Sequence, residues 1–321
     1  MTYKAAATLA ALRLRAAILQ RIRAFFAERN VLEVETPALS TAGVSDTALD
    51  SVIARVRSLG ESAFYLHTSP EYAMKRLLAA GSSDIYQICK VFRDDELGRW
   101  HQPEFTMLEW YRQGWDEQML MREVEALLTG VLETGASTIR GAAVRLTYAQ
   151  AFREHLDAAP TDDAERLAER LRALGVDVPS GLSHAALLDL ALGAAVVPRL
   201  PRDSLTFICD FPATHAALAR IKPQTPPVAA RFEVFGGGIE LANGFAELTD
   251  PLEQRRRFAA ELAARRAAGR AEPPLDEAFL AALATLPPCA GVALGVDRLV
   301  ALAGGFDGIA AALSFVHARG D

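Results

Sequence analysis

The sequence predicts an α+β fold, an antiparallel sheet flanked by helices, on three observations. Strand-like segments at residues 205–210, 228–235 and 239–248 resume after a long helical stretch, so strands pair across helices without a regular βαβ alternation. Residues 89–112, CKVFRDDELGRWHQPEFTMLEWYR, read as two paired strands. The chain has 321 residues, 51% of them hydrophobic, enough for a large core.

The elements follow in chain order. An amphipathic helix is expected over residues 6–29, with Leu9, Leu12, Ile18, Ile22, Phe25 and Phe26 near helical spacing. A strand from Val31 follows, which Pro37 ends or confines to an edge. Residues 51–57 and 63–67 form a hairpin around Ser58-Leu59-Gly60. In Thr68-Ser69-Pro70-Glu71, Ser69 caps a helix, Pro70 suits its first turn, and Glu71 sits where the helix dipole favours an anion. The same four residues also suit a plain helix start.

In the second strand of residues 89–112, Phe105, Met107, Glu109 and Tyr111 share one face, and Thr106, Leu108 and Trp110 the other. A glutamate on an aromatic face needs a partner, either an arginine across the sheet or a ligand. Helix continues to about residue 132, and residues 146–196 read as several helices inserted within the sheet. After the strands at 205–210 and 228–235, Gly236-Gly237-Gly238 turns the chain into 239–248. Helices near Pro251 and Asp276, a strand at 292–294 and a helix from Val296 complete the chain. With no repeats or linker-like tracts, residues 1–321 are read as one domain with a helical insertion at about 146–200.

No run approaches the roughly 18–20 apolar residues a membrane span needs, and arginines interrupt the N-terminal stretch MTYKAAATLAALRLR, so a cytoplasmic location is expected. Cys89, Cys209 and Cys289 lie far apart without CxxC spacing, which suggests core thiols instead of a disulfide framework or zinc site. A formal net charge of −6 argues against a protein built to hold long nucleic acid. Arginine clusters at Arg13, Arg15, Arg21 and Arg23, and from Arg255 to Arg270, are either solvated helix faces or surfaces that steer an acidic partner.

Three glutamates, Glu233, Glu240 and Glu247, recur every seven residues, but the triple glycine breaks any helix and leaves a hairpin. Asn243, Phe245 and Glu247 share a strand face; Glu240 has the opposite parity unless a bulge near Gly244 resets it. Carboxylates gathered on a sheet with no nearby lysine suggest Mg²⁺ held with polyphosphate. In Cys289-Ala290-Gly291-Val292-Ala293-Leu294-Gly295-Val296-Asp297-Arg298, a strand ends in glycine and opens a helix bearing Arg298, so an anion would fit over Gly295. Alone, that motif is weak.

Together these pieces resemble a known family. Pro37 at a strand end, Phe92-Arg93-x-Asp95 with His101-x-Pro103-Glu104-Phe105-Thr106, and Gly295-Val296-Asp297-Arg298 resemble motifs 1, 2 and 3 of class II aminoacyl-tRNA synthetases. The phrases TSPE, PEFTMLEWY, ELANGFAELTD and GVALGVDRL resemble the lysyl-tRNA synthetase catalytic domain, over residues 14–314 or so. Only about a dozen residues precede the region of resemblance, so no anticodon-binding domain is expected and tRNA is not expected as a partner. The resemblance is then to the free-standing elongation factor P–(R)-β-lysine ligase family, which activates (R)-β-lysine with ATP and attaches it to a lysine side chain of elongation factor P.

The resemblance implies roles residue by residue. Arg93 would bridge the substrate carboxylate and the α-phosphate, and Arg298 would hold the γ-phosphate. Asp94, Asp95, His101, Gln102, Glu240, Leu241 and Gly295 would complete the ATP site, with Phe105 stacking on adenine. Glu233 and Glu240 would hold Mg²⁺. Glu109 and Tyr111 would grip the distal ammonium of lysine or (R)-β-lysine, and Glu71 and Glu247 the amine nearer the carboxylate. Ser69, Pro70, Asn243, Phe245 and Ala293 complete that pocket. Ala293 stands where lysyl-tRNA synthetases usually carry glycine, which would reshape the pocket toward the β-isomer. Two positions depart from the family pattern: Asp95, beside Glu96, where glutamate is usual, and Gln102, where asparagine is usual. A homodimer is expected from the likeness of the first helix and the Pro37 strand to the class II dimer motif. The rival readings are an enzyme that charges tRNA and a non-catalytic regulatory subunit; the retained Arg93, Glu233, Glu240 and Arg298 weigh against the latter.

Overall fold

The computed structural model describes residues 5–60 and 63–317; residues 1–4, part of the N-terminal stretch considered above as a leader, lie outside them. The first amphipathic stretch forms α1 (Leu9–Ala27), opened by Thr8, whose hydroxyl accepts from the Ala11 N–H. Its buried stripe is Ala11, Ile18, Ile22 and Phe26. The strand after it is only β1 (Leu32–Glu33), and β2 (Leu39–Ser40), β3 (Ile53–Arg55) and β4 (Ala63–Leu66) form a small separate sheet in the order β2-β4-β3.

α2 (Glu71–Ala79) leads to the long hairpin β5 (Ile85–Phe92) and β6 (Glu104–Gln113), then α3 (Glu117–Leu132) and β7 (Val144–Thr147). α4 (Tyr148–Leu156), α5 (Ala164–Ala173) and α6 (His184–Ala191) precede β8 (Thr206–Pro212), β9 (Ile221–Lys222), β10 (Val228–Gly236) and β11 (Ile239–Ala246). α7 (Pro251–Ala267), α8 (Glu277–Ala282), β12 (Cys289–Gly295) and α9 (Val296–Gly304) complete the order.

The main sheet runs β1-β5-β6-β12-β11-β10-β8-β7, with β9 beside β10. Its interior pairs are antiparallel, as expected, but both outermost pairs, β1 with β5 and β7 with β8, are parallel. A parallel pair needs a long crossover. Helices α4–α6 supply it for β7 and β8, so the stretch read as an insertion serves to carry the chain between two edge strands. β7 escaped sequence reading because it is short and only half-buried.

The two faces of the sheet have different fates. Leu108 and Trp110 of β6 point to the back, into a core with Ile22 and Phe26 of α1, Val124 and Leu128 of α3, and Leu299 and Val300 of α9. Trp110 is fully buried and its indole N–H donates to Glu123 at 3.0 Å, so no polar atom of the ring is stranded. On the front, α4–α6 cover one end around Phe152 and Phe211, and α2, α7 and α8 cover the other around Met74, Phe258 and Phe279. Between those clusters, parts of β6, β12, β11 and β10 are left to floor a cavity.

The arginines of α7 are paired with carboxylates: Arg255 with Glu277, Arg256 and Arg257 with Glu253, and Arg266 with Glu272. Arg265, 3% exposed, donates to the Asp46 and Leu49 carbonyls at 2.8 Å and pairs with Asp50 at 2.6 Å. This clamp holds the segment that walls the cavity opposite the sheet.

Candidate active site

The cavity holds about 900 Å³. Its floor follows from strand alternation, because Phe105, Met107, Glu109 and Tyr111 of β6 all face into it. At a rise of about 3.4 Å per residue, Phe105 and Glu109 lie roughly 14 Å apart along one strand, so the cavity has two ends.

The end near Phe105 is cationic. The Arg93 guanidinium stands 5.0 Å from the Phe105 ring centroid and 3.5 Å from Glu96, and its Nε has no hydrogen-bond partner among the described residues. Arg298, in the first turn of α9, donates to the carbonyls of Glu240 at 2.8 Å and Trp100 at 3.2 Å, and lies 2.7 Å from His101 Nε2. Burial and the adjacent guanidinium hold His101 below its usual range, so the ring is neutral at pH 7 and can accept from Arg298. α9 starts at Gly295 with no side-chain cap, which leaves its first N–H groups available to an anion. Asp297 points the other way. Its carboxylate takes Arg15 at 2.6 Å and the Thr106 N–H at 2.8 Å, tying α9 to α1 and β6.

The other end is anionic. Glu109, 2% exposed, accepts from the Tyr111 hydroxyl at 2.6 Å and from Ser69 at 2.7 Å. Those donors are neutral, and burial with the nearby Glu71 lifts Glu109 to about 7. Glu247 is buried as well; burial lifts it to about 8 in spite of Lys75. Lys75, 1% exposed, lies 2.6 Å from Glu71 and 2.6 Å from Glu247. The Ser69 hydroxyl accepts from the Glu71 N–H at 3.0 Å, so it serves the helix start from one position earlier than expected, Pro70 occupying the cap itself.

The pairing register gives Ala293 its place: on β12, directly between Glu109 of β6 and Asn243 of β11. Its methyl therefore sits in the pocket floor. Two positions along, Gly291 lies opposite both Tyr111 and Phe245. A Cβ there would come within 2.2 Å of the Tyr111 ring and 2.6 Å of Glu247 Oε1, so only glycine lets that ring lie across the strand.

Glu233 and Glu240 both line the cavity. The parity problem of Glu240 is resolved by a bulge, at Leu241 and not near Gly244: Val234 pairs with Ala242, but Phe235 pairs with Glu240. The extra residue, Leu241, contributes to the cavity wall while packing into the back core. Glu233 is buried and paired with Arg231; burial and the neighbouring Glu240 lift it to about 7. Two repelling carboxylates beside two arginines suit a cation that arrives with phosphates, since Mg²⁺ completes its shell with phosphate and water. Among the described residues there is no group of three or more His, Cys, Asp or Glu placed to hold a metal by themselves.

Of the residues singled out from sequence, Asp94 and Asp95 are not brought to the cavity. Both are exposed in the turn after β5, where Asp95 adopts φ 61° and the Asp94 carboxylate accepts the Asp95 N–H at 2.9 Å. The turn brings Glu96 to Arg93 in their stead. Gln102 lines the cavity and its carbonyl oxygen accepts from the His317 N–H at 2.8 Å. Ser69, Pro70, Glu71, Asn243, Phe245, Glu247, Gly295 and Arg298 line the same cavity.

Four residues were missed. Lys75 was given no role, and its place 2.6 Å from Glu247 overturns the expectation of carboxylates with no lysine nearby; Glu96 was noted only as the neighbour of Asp95; Gly291, the first residue of GVALGVDRL, was given no role of its own. Arg231, which lies 4.5 Å above the Phe211 ring and donates to Asn243 at 3.3 Å, fell within the strand expected at 228–235 but was given no role. Its position two residues before Glu233, on the same strand face, was the available signal.

The model of the family described as tRNA synthetases class II (D, K and N) matches residues 1–319. The chain is 48% identical to the elongation factor P–(R)-β-lysine ligase of Vibrio cholerae serotype O1, over 98% of this chain and 97% of that protein. It is 48% identical to the protein of the same name from Erwinia tasmaniensis, over 94% and 93%, and 47% identical to that of Klebsiella pneumoniae strain 342, over 99% and 98%.

Proposed function

Because the chain belongs to the class II (D, K and N) tRNA synthetases and matches their elongation factor P–(R)-β-lysine ligases along nearly its whole length, we propose that it is a ligase that activates (R)-β-lysine with ATP and transfers it to a lysine side chain of elongation factor P. The observation that carries this reading is the division of one cavity into an arginine end and a carboxylate end, joined by the front face of β6.

Each end suits one substrate. Arg93 and Arg298, both permanently charged, would hold the phosphates, with the Phe105 ring beside them for the base. Glu109, Glu71 and Glu247 would pair the ammonium groups of the amino acid, which must be matched once buried. The amino-acid carboxylate would attack the α-phosphorus, forming a mixed anhydride and releasing pyrophosphate. An amine of the acceptor protein would then attack the activated carbonyl, lose its proton and release AMP. The first step needs no side-chain base, because the attacking carboxylate is already ionised. Glu233 and Glu240 would hold Mg²⁺, which when bound offsets phosphate charge. The catalytic contribution of this chain's residues is then positioning and electrostatic stabilisation. We place this work in one catalytic unit, working as a homodimer in the cytoplasm, with elongation factor P in place of tRNA as acceptor.

The test is ATP–pyrophosphate exchange with (R)-β-lysine and with α-lysine, followed by transfer to elongation factor P or to bulk tRNA. Exchange favouring (R)-β-lysine with transfer to elongation factor P is expected. No exchange with either amino acid would overturn the enzyme reading, and transfer to tRNA alone would overturn the choice of acceptor.

A further inference from the structure

Lys75 is a buried cation at the carboxylate end, its charge running against its surroundings, whereas its neighbour Arg76 lines the cavity from an exposed position. Lys75 lies five residues into the TSPE helix segment, counting from Glu71, and is 1% exposed. Its ammonium is 2.6 Å from Glu71 and 2.6 Å from Glu247, and 5.8 Å from the Phe279 ring on α8. Burial opposes its charge, but Glu247 and Glu71 outweigh burial and raise it above the ordinary lysine value. From β6 the pocket receives Glu109 and Tyr111, and from β12 the thiol of Cys289, lifted to about 12 by burial and Glu247 and therefore neutral.

The remaining valences are informative. Among the described residues, Glu247 Oε1 is buried without a hydrogen-bond partner, and the Glu109 oxygens meet the neutral hydroxyls of Tyr111 and Ser69. When ionised, the three carboxylates Glu71, Glu109 and Glu247 facing one ammonium leave two negative charges unmatched. A buried pocket in that state is completed by a ligand with two ammonium groups.

Resting on the proposed function, we propose that Lys75 is the resident counter-cation of the amino-acid pocket: it fixes Glu71 and Glu247 in place and sets the unmatched charge at two, which selects a diammonium amino acid. Lys75 is thus a positioning residue for recognition. It takes no part in the bond changes.

The test is exchange kinetics across pH for wild type, Lys75→Met and the double variant Lys75→Met/Glu71→Gln. Lys75→Met leaves three carboxylates for two substrate ammonium groups. Its amino-acid KM should rise roughly 10- to 100-fold, with kcat at saturation less affected, because an unpaired buried charge is costly. The rising limb of the pH profile should move up by about one unit, since the remaining carboxylates lose a neighbouring cation. The double variant restores the unmatched charge to two; its pH limb should return toward wild type and its KM recover by roughly threefold or more. A folded Lys75→Met protein with an unmoved pH limb, or a double variant no better than the single, would overturn the proposal. If only the double variant folds, an unshifted limb supports the role and lost exchange sinks it. Failure of both to fold would assign Lys75 to stability and overturn it as well. Absence of exchange in wild type would refute the underlying function, which is a separate outcome.

Discussion

Glu109 shows what one residue carries here. It is a buried carboxylate hydrogen-bonded by two hydroxyls and, among the described residues, in direct contact with no cation, so a substrate ammonium is its natural counter-charge. Glu109→Gln should lower kcat/KM for the amino acid about 100-fold in pyrophosphate exchange, with the KM for ATP little changed. The pH response follows from the same groups. Glu109 at about 7 and Glu247 at about 8 hold protons in the empty pocket that a diammonium ligand must displace. At subsaturating amino acid, exchange should therefore climb as pH rises through about 7 to 8; a rate flat between pH 6 and 8.5 would contradict this. Gly291→Ala should push the Tyr111 ring off the strand and cut kcat/KM roughly tenfold or more, as its Cβ would lie 2.2 Å from that ring. The face of β6 bearing Glu109 was legible in the sequence because strand alternation is a local rule. The turn that exposes Asp95 and turns Glu96 inward was not, since it depends on a positive φ at Asp95 that any of several polar residues would accept.

At the scale of elements, α9 is the junction. Its first turn sends Arg298 into the cavity and Asp297 backward to Arg15 and the Thr106 N–H. Asp297 is 2% exposed, so Arg15→Met would leave a buried carboxylate without its cation. The expected loss is about 3–5 kcal/mol in urea unfolding, with Arg298 displaced and exchange reduced in consequence. The start of this helix was readable from glycine followed by an apolar run, whereas the partner of Asp297 lies 282 residues away and no local pattern points to it. The bulge is similar. Parity left Glu240 off the face of Asn243 unless a bulge near Gly244 reset it, and the bulge lies instead at Leu241, whose side chain is buried in the back core.

The whole molecule gathers several acids in one cavity, and its stability should record that. Glu109, Glu233 and Glu247 bind protons up to about 7 to 8 when folded, against an ordinary value of 4.5. Between those values the folded state holds more protons than the unfolded chain, so the stability they contribute is full at low pH and declines as pH rises toward 8. The melting temperature of the ligand-free protein should fall across that window, and saturating amino acid should flatten the fall by supplying the missing cations. A melting temperature that rises from pH 5 to 8 would be the contrary result. By itself the sequence determined the fold class and the central strands, because alternation, caps and glycine turns act over a few neighbouring positions, and its family resemblance singled out a set of residues of which all but Asp94 and Asp95 line the cavity. Only the tertiary structure decided that the outermost strands run parallel, that Glu96 and not Asp95 meets Arg93, and that Lys75 sits between Glu71 and Glu247. Those outcomes rest on groups far apart in the chain meeting in a space without water, where each charge must find its partner through the fold and not along the sequence.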